Sequence, residues 1–487
     1  MPKPAQRPVR PRLVLAICCV SIVLVVMDIS IVNVALPAIQ RDLHATTARL
    51  QWTVDAYTLV LACFLVLAGS SADRYGRRRT FQIGLAVFAL GSLLCALAPG
   101  TGWLVAARVL QGIGGTMLNP VAIAIIANTF TGAAERARAV GVFASMSGLA
   151  LVLGPVLGGF LVGTLGWHAV FWVNVPIAVA VIGLAAFFVP ESRGARARRF
   201  DPVGQVLVVV LLGCAVSAVI ESRPQGWGSP LVLGLLAIAV VALAALVAYE
   251  PRRHDPLLEL RLFRSVPFSS AIVIALCAMC GFGAFLFLTT QYLQVVRGLS
   301  ALQAGLALVP LGVVVLAVAP LAGRLTGSAG PRLPLVVAGA TLAGGSAVFV
   351  RLSPATPAAL VVTGFVCFGV FLGAVNPPIT NTAISGMPRS MSGVAGSVAS
   401  VGRQTGTTLG VGLAGAIAGA PADHGGAAYL HAARTVWWLL TALGLIIVAS
   451  GITSTTRLAH ATGARAATLF AEVDQTPEPV APNRARR

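Results

Sequence analysis

The chain has 487 residues, 57% of them hydrophobic and only 10% charged, with a mean hydropathy of +0.89 and a formal net charge of +19. A soluble domain is roughly 45–50% apolar and about 25% charged, so a water-soluble enzyme is excluded. Long unbroken apolar runs exclude a disordered chain, and 52 glycines without a three-residue period exclude a collagen-like fibre. What remains is an all-α polytopic membrane protein, each span of which needs about 20 apolar residues.

Apolar runs bounded by charges and breakers predict fourteen transmembrane helices, at 13–35, 50–70, 81–98, 102–125, 140–163, 169–189, 203–222, 230–249, 268–290, 302–325, 333–350, 357–379, 393–418 and 434–455. The first run continues through Asp28 to Pro37 without a small-residue cleavage pattern, so it reads as a span and not as a signal peptide. Of the 34 basic residues, 26 fall in the segments that share a side with the N-terminus and six in the opposite loops. By the positive-inside rule both termini are then cytoplasmic, in a cell (inner or plasma) membrane. The basic residues lie between apolar runs and not on a soluble module, so the positive charge reads as topology and attraction to anionic lipid, not as a nucleic-acid surface. All eight cysteines lie in apolar segments; Cys277 and Cys280 form a CxxC without a second Cys or His pair, so no metal site is expected.

A faint duplication organises the spans. Ala72-Asp73-Arg74 recurs as Ala322-Gly323-Arg324, Asn119-Pro120 as Asn376-Pro377, and Gly141-Val-Phe-Ala-Ser145 as Gly396-Ser-Val-Ala-Ser400, at offsets of 250, 257 and 255. Two six-helix bundles with two inserted central helices follow: a cytoplasmic N-terminus at 1–12, an N-terminal bundle at 13–190, the inserted pair with its inner loops at 191–267, a C-terminal bundle at 268–456 and a cytoplasmic, partly disordered tail at 457–487. Repeated helical halves around a central pathway are transporter architecture.

Ionisable groups inside a bilayer are expensive and need a reason. Asp28 lies roughly 10 Å short of the outer end of the first span, and Asp55 in the second and Arg108 in the fourth lie at a similar depth, roughly 8 Å for Asp55. Burial and a second acid favour the neutral form of a carboxyl group, and an arginine favours the charged form. A site that faces two aqueous phases in turn can use that balance to load and release a proton. The structural alternative is that Arg108 neutralises one carboxylate and Asp55 snorkels to the outer interface.

Gly69, Asp73, Arg74, Gly76, Arg77 and Arg78 form an inner loop whose glycines permit a tight turn and whose charges can clasp neighbouring helix ends, as an inner gate would require. The fifth span carries Gly148, Gly154, Pro155, Gly158 and Gly159, a close-packing and bending pattern, and the thirteenth carries Gly402, Gly406, Gly410 and Ala414. Asn33, Tyr57, Gln111, Asn119, Gln291, Asn376 and Arg403 are candidates for lining a cavity or for interhelical hydrogen bonds.

These segments resemble the major facilitator superfamily, and within it the fourteen-helix drug:proton antiporters of the EmrB/QacA type, over nearly the whole chain. Asp28-Ile-Ser-Ile-Val-Asn33-Val-Ala-Leu-Pro37 is similar to the first-helix motif, residues 69–79 to the conformational-switch loop, and Arg108-Val-Leu-Gln111-Gly112-Ile-Gly114 to the helix-four motif. Gly148 with Gly154-Pro155-Val-Leu-Gly158-Gly159 is similar to the helix-five antiporter motif, and Trp167-His168-Ala-Val-Phe171-Trp-Val-Asn174-Val-Pro176 to the entry to helix six, where an arginine is usual in place of His168. The second copy of the loop has Gly323 where the first has Asp73, and Glu221 resembles an acidic position of the inserted pair.

The resemblance implies a proton-coupled exporter of small apolar or cationic compounds, conferring drug or antibiotic resistance and working as a monomer, driven by the proton gradient without a cofactor. The alternatives are a proton-linked symporter or metabolite exporter and, more remotely, a membrane-embedded receptor or enzyme. The helix-five motif is usually absent from symporters. An enzyme would want a metal cluster or an activated nucleophile within the bilayer, whereas the six histidines sit in loops or near span ends. The only lysine, Lys3, lies in no nucleotide-binding GxxxxGK[ST] motif, which excludes an ATP-driven pump.

Overall fold

The computed structural model describes residues 10–193, 201–253, 259–385, 392–419 and 426–474. The expected N-terminal stretch 1–9, Arg196, Arg198, Arg199 and Arg389 of the inner segments, and the tail 475–487 lie outside the described residues.

Helices α1 (Pro11–Asp42), α2 (Thr47–Tyr75), α3 (Arg77–Ala96), α4 (Thr101–Thr129), α5 (Ala133–Leu165), α6 (Ala169–Trp172) and α7 (Asn174–Phe188) build the first half. The inserted pair is α8 (Pro202–Gln225) and α9 (Pro230–Tyr249), and the second half holds α10 (Val266–Gln291), α11 (Ala301–Ala307), α12 (Val309–Ala329), α13 (Arg332–Phe349), α14 (Ala358–Ile384), α15 (Ser392–Ala418) and α16 (Gly426–Thr453). A last helix, α17 (Arg457–Asp474), docks its small residues Ala459, Gly463 and Ala466 near the start of α10, where Thr462 Oγ1 accepts from the Val266 amide at 3.0 Å. Among the described residues thirteen segments are long and apolar enough to cross a membrane. With α15, whose glycines, threonines and Arg403 lower its hydropathy, they fill all fourteen expected positions.

Local chemistry accounts for most of the ends. Thr46, Asp201, Ser229, Ser265 and Ser300 each cap a helix N-terminus, the last in a reciprocal capping box with Gln303. Pro37, Pro120, Pro155 and Pro320 lie inside helices that continue past them, because neighbouring helices re-satisfy the freed backbone groups. Two expected spans are broken. The sixth divides at Val173, three residues before Pro176, and the tenth at Leu308, two residues before Pro310; a proline offers no amide to a continuous ladder. At the end of α10, residues Tyr292–Val296 take a π-turn, a form often found at functional sites.

The first half packs within itself through α1 on α5, α2 on α4 and α3 on α4, and the second through α10 on α15, α12 on α14 and α13 on α16. An aromatic stack of Phe285, Phe349, Phe368 and Trp437 centres the second half, with Phe285 and Phe368 ring centroids 4.0 Å apart. The inserted α8 lies against both α2 and α15, covering one seam between the halves.

The halves approach closely at the end away from the termini. The Gln51 amide donates to the Gly412 carbonyl at 2.7 Å, Thr408 Oγ1 to Thr58 Oγ1 at 2.8 Å, and Gln294 to the Val34 carbonyl at 2.9 Å. A methyl group on Gly305 of α11 would stand 2.1 Å from the Pro155 carbonyl of α5, and one on Gly159 would stand 2.4 Å from that of Ala301. Toward the end that carries the termini, a Cβ on Gly69, Gly141 or Gly396 would meet nothing within 4 Å. These hydrogen bonds and glycine contacts between the halves cluster at the end away from the termini, and the opposite end, which carries the termini, is read as the splayed one.

Candidate functional site

Three ionisable side chains expected in one layer are there, and all three are fully buried. α1 brings Asp28 and α4 brings Arg108 into a direct ion pair. Arg108 Nε also donates to the Thr53 carbonyl of α2 at 2.9 Å and Nη1 to Gln111 Oε1 at 2.7 Å, while the guanidinium lies 4.3 Å from the Tyr57 ring centroid. Arginine suits this place because its planar fork serves a carboxylate, an amide and an aromatic face together.

Asp28 is held from its other side too. Its Oδ1 accepts from Gln111 Nε2 at 2.7 Å and from Asn174 Nδ2, at the start of α7, at 3.2 Å. Gln111 also donates to Ser92 Oγ of α3 at 2.7 Å. The carboxylate is thus the meeting point of α1, α3, α4 and α7. Neither Ser92 nor Asn174 is among the polar candidates legible in the sequence, although Asn174 stands in the helix-six entry motif.

Asp55 differs. Neither of its carboxylate oxygens has a hydrogen-bond partner among the described residues, and Oδ2 would lie 3.7 Å from a Cβ on Gly412 of α15. That same Cβ would meet Val219 and Ile220 of α8, so Asp55 sits where both halves and the inserted pair converge. The snorkelling alternative does not hold in this conformation, because the side chain reaches no surface.

The cavity-lining expectation needs correction for several residues. Tyr57 and Gln111 are enclosed at the ion-pair cluster, Asn33 is buried with its Nδ2 donating to the Ile29 carbonyl of its own helix at 2.8 Å, and Gln291 is buried. The ion-pair cluster closes over Tyr57 and Gln111, while Asn33 Oδ1, the Tyr57 hydroxyl and Gln291 Oε1 are buried without a hydrogen-bond partner among the described residues. Asn119, Asn376 and Arg403 are partly exposed.

The inner loop is tied to its own half. Gly76 has φ +111°, a conformation suited to glycine, and a Cβ there would lie 2.7 Å from Glu191 Oε1. Asp73 Oδ1 accepts from Arg77 at 3.0 and 3.2 Å, and Arg77 Nη1 reaches the Ala124 carbonyl near the end of α4 at 3.3 Å. Glu191, unremarked in the sequence, accepts from the Arg78 amide at 3.1 Å and lies near the Arg78 and Arg79 guanidinium groups. Arg74 packs over Tyr75.

The helix-five glycines sit between halves. Cβ atoms on Gly154 and Gly158 would strike Ser30 and Ile31 of α1, and on Gly148 and Gly159 would crowd Leu316 of α12 and Ala301 of α11. One face of α5 therefore reads the helix that bears Asp28, and another seals against the second half.

Comparison with known proteins decides the family. The Major Facilitator Superfamily profile matches residues 18–411. The chain belongs to that superfamily. It is 37% identical over 394 residues to the multidrug resistance protein Stp of Mycobacterium tuberculosis, covering 81% of this chain and 73% of Stp. The tetracenomycin C resistance and export protein of Streptomyces glaucescens is 35% identical, with 84% of this chain and 76% of that protein covered. The multidrug efflux pump LfrA of Mycolicibacterium smegmatis is 34% identical, with 85% and 82% covered. As a member of the superfamily the chain is a multi-pass membrane transporter.

Proposed function

We propose that this facilitator is a drug:proton antiporter that takes a small, largely apolar or cationic compound from the cytoplasmic side and expels it in exchange for protons, conferring drug or antibiotic resistance. Both termini are cytoplasmic, lipid surrounds a functional monomer, the proton gradient is the sole driver, and the splayed end is the inward-facing entrance. The names of the relatives, which describe resistance, export and efflux, support the direction of transport.

The observation that carries the reading is the buried Asp28 carboxylate at the meeting of four helices, paired with Arg108. A proton arriving at Asp28 removes the charge that Arg108 answers, and the charge-assisted bond weakens. Two and three residues along α1, Ser30 and Ile31 press on Gly154 and Gly158 of α5, whose Pro155 carbonyl abuts Gly305 of the second half. Occupancy of one carboxyl group thus acts on the seam that closes the outer end, as alternating access requires. Asp55 is the second titrating or cation-accepting group, placed on the other seam. The loop of Gly69, Asp73 and Gly76 with its arginines closes the inner gate in the opposite state.

In proteoliposomes Asp28→Asn is expected to insert normally and to lose gradient-driven export; a variant that extruded substrate at the full rate would overturn the assignment. Everted vesicles separate antiport from symport. Substrate added to energised vesicles should dissipate the acid interior of an antiporter, and a deepened gradient would favour the symporter.

A further inference from the structure

The two arginines inside spans have opposite surroundings. Arg108 is neutralised by Asp28. Arg403 donates through Nη2 to Ser400 Oγ at 2.6 Å and through Nη1 to Thr380 Oγ1 of α14 at 3.5 Å, and among the described residues no Asp or Glu oxygen comes within 4.0 Å of it. Both partners are neutral hydroxyls. Arg403 lies eleven residues along α15, about 16 Å from Ser392 at 1.5 Å per residue. Its neighbours Gly402 and Gly406 face Ile272 and Leu276, six and ten residues into α10, which sets the side chain at hydrocarbon depth. A cation held there without a counterion is costly and marks a pathway or a ligand.

Its position in the fold is equally particular. Arg403 stands five residues, about 7 Å, on the splayed side of the Thr408 to Thr58 bridge between the halves. Residues Arg403, Gln404 and Asn376 are partly exposed, and Thr380 and Asn381 are exposed. In the duplication, the offset of 255 that relates Gly141 to Gly396 relates Gly148 to Arg403. Where the first half places a glycine against Leu316, the second half places a cation with no acid beside it among the described residues.

We propose that Arg403, with Thr380 beside it, is an anion-accepting subsite of the transport crevice, taking a carboxylate, phenolate or sulfonate carried on an otherwise apolar ring system. The guanidinium fork matches such groups by paired charge-assisted hydrogen bonds, which gain strength out of bulk water. This rests on reading the splayed end as the substrate entrance, and it widens the substrate class to acidic and zwitterionic compounds. A lipid phosphate offers the same chemistry from a second source.

The test is equilibrium binding to the purified full chain in nanodiscs of zwitterionic lipid. The probes are fluorescein, an anion, and a rhodamine ethyl ester, a cation on the same ring system. Arg403→Gln should weaken fluorescein about tenfold or more, as loss of a charge-assisted pair implies, and leave the rhodamine within about twofold. Arg403→Lys, which keeps the charge without the fork, should fall between and carries the test if the glutamine variant does not fold. Three results overturn the subsite: no fluorescein binding to the wild type, equal fluorescein binding to wild type and both variants, or equal loss of both dyes in the variants. Displacement of fluorescein by added phosphatidylglycerol would instead assign the fork to lipid and overturn it as a substrate site. No gradient is imposed, so failure of proton coupling at Asp28 leaves this measurement unaffected.

Discussion

Arg108 links three helices through one side chain, because Asp28, the Thr53 carbonyl and Gln111 all depend on it. Removing one member of a buried ion pair strands the other, at a cost of about 3–5 kcal/mol. Arg108→Ala should therefore lower thermal stability in detergent sharply, whereas Arg108→Met combined with Asp28→Asn should recover most of it and still fail to couple export to a gradient. The thermal midpoints of the single and double variants check the first part, and proteoliposome transport checks the second. A double variant as unstable as Arg108→Ala would show that the hydrogen bonds from Gln111 and Asn174, and not the charge balance, hold the cluster.

At the scale of helices, closure at the outer end depends on glycine. Gly305 lets α11 reach the Pro155 carbonyl of α5, and Gly415 makes room for Gln51 of α2, whose side chain would lie 2.3 Å from a Cβ there. Gly163 of α5, by contrast, faces open space. Gly305→Ala and Gly415→Ala should each cut export about tenfold or more by blocking closure, since a backbone carbonyl or a side chain pinned between helices has little room to yield. Gly163→Ala should transport normally and, because alanine is the better helix former by about 1 kcal/mol, be no less stable. Initial export rates normalised to membrane protein decide between these outcomes. A Gly305→Ala variant with the wild-type rate would show that the α5 and α11 seam does not need to close.

Across the whole molecule, two seams of different construction join the halves. One is α5 against α11 and α12, made of glycine contacts; the other is α2 against α15, which adds hydrogen bonds to its glycine contacts and is covered by α8. Alternating access requires both to part while the splayed end closes. A cysteine pair replacing Thr58 and Thr408, whose hydroxyls are 2.8 Å apart, should cross-link under mild oxidation and stop export, with reduction restoring it. Cross-linked protein that still exported at the full rate would show that this seam stays shut throughout the cycle.

The sequence alone determined the all-helical membrane class, the fourteen span positions and the layer shared by Asp28, Asp55 and Arg108. These follow from hydropathy runs and from the cost of charge in hydrocarbon, which act residue by residue. It also marked the helix-five glycines, but not which neighbours they admit. Only the tertiary structure decided that Asp28 pairs with Arg108 while Asp55 has no hydrogen-bond partner among the described residues, that Tyr57 and Gln111 are enclosed and not cavity-lining, and that Ser92, Asn174 and Glu191 belong to polar clusters. Which helix faces which, and at what height, depends on packing between segments far apart in the chain. No local pattern of polarity or spacing contains that information.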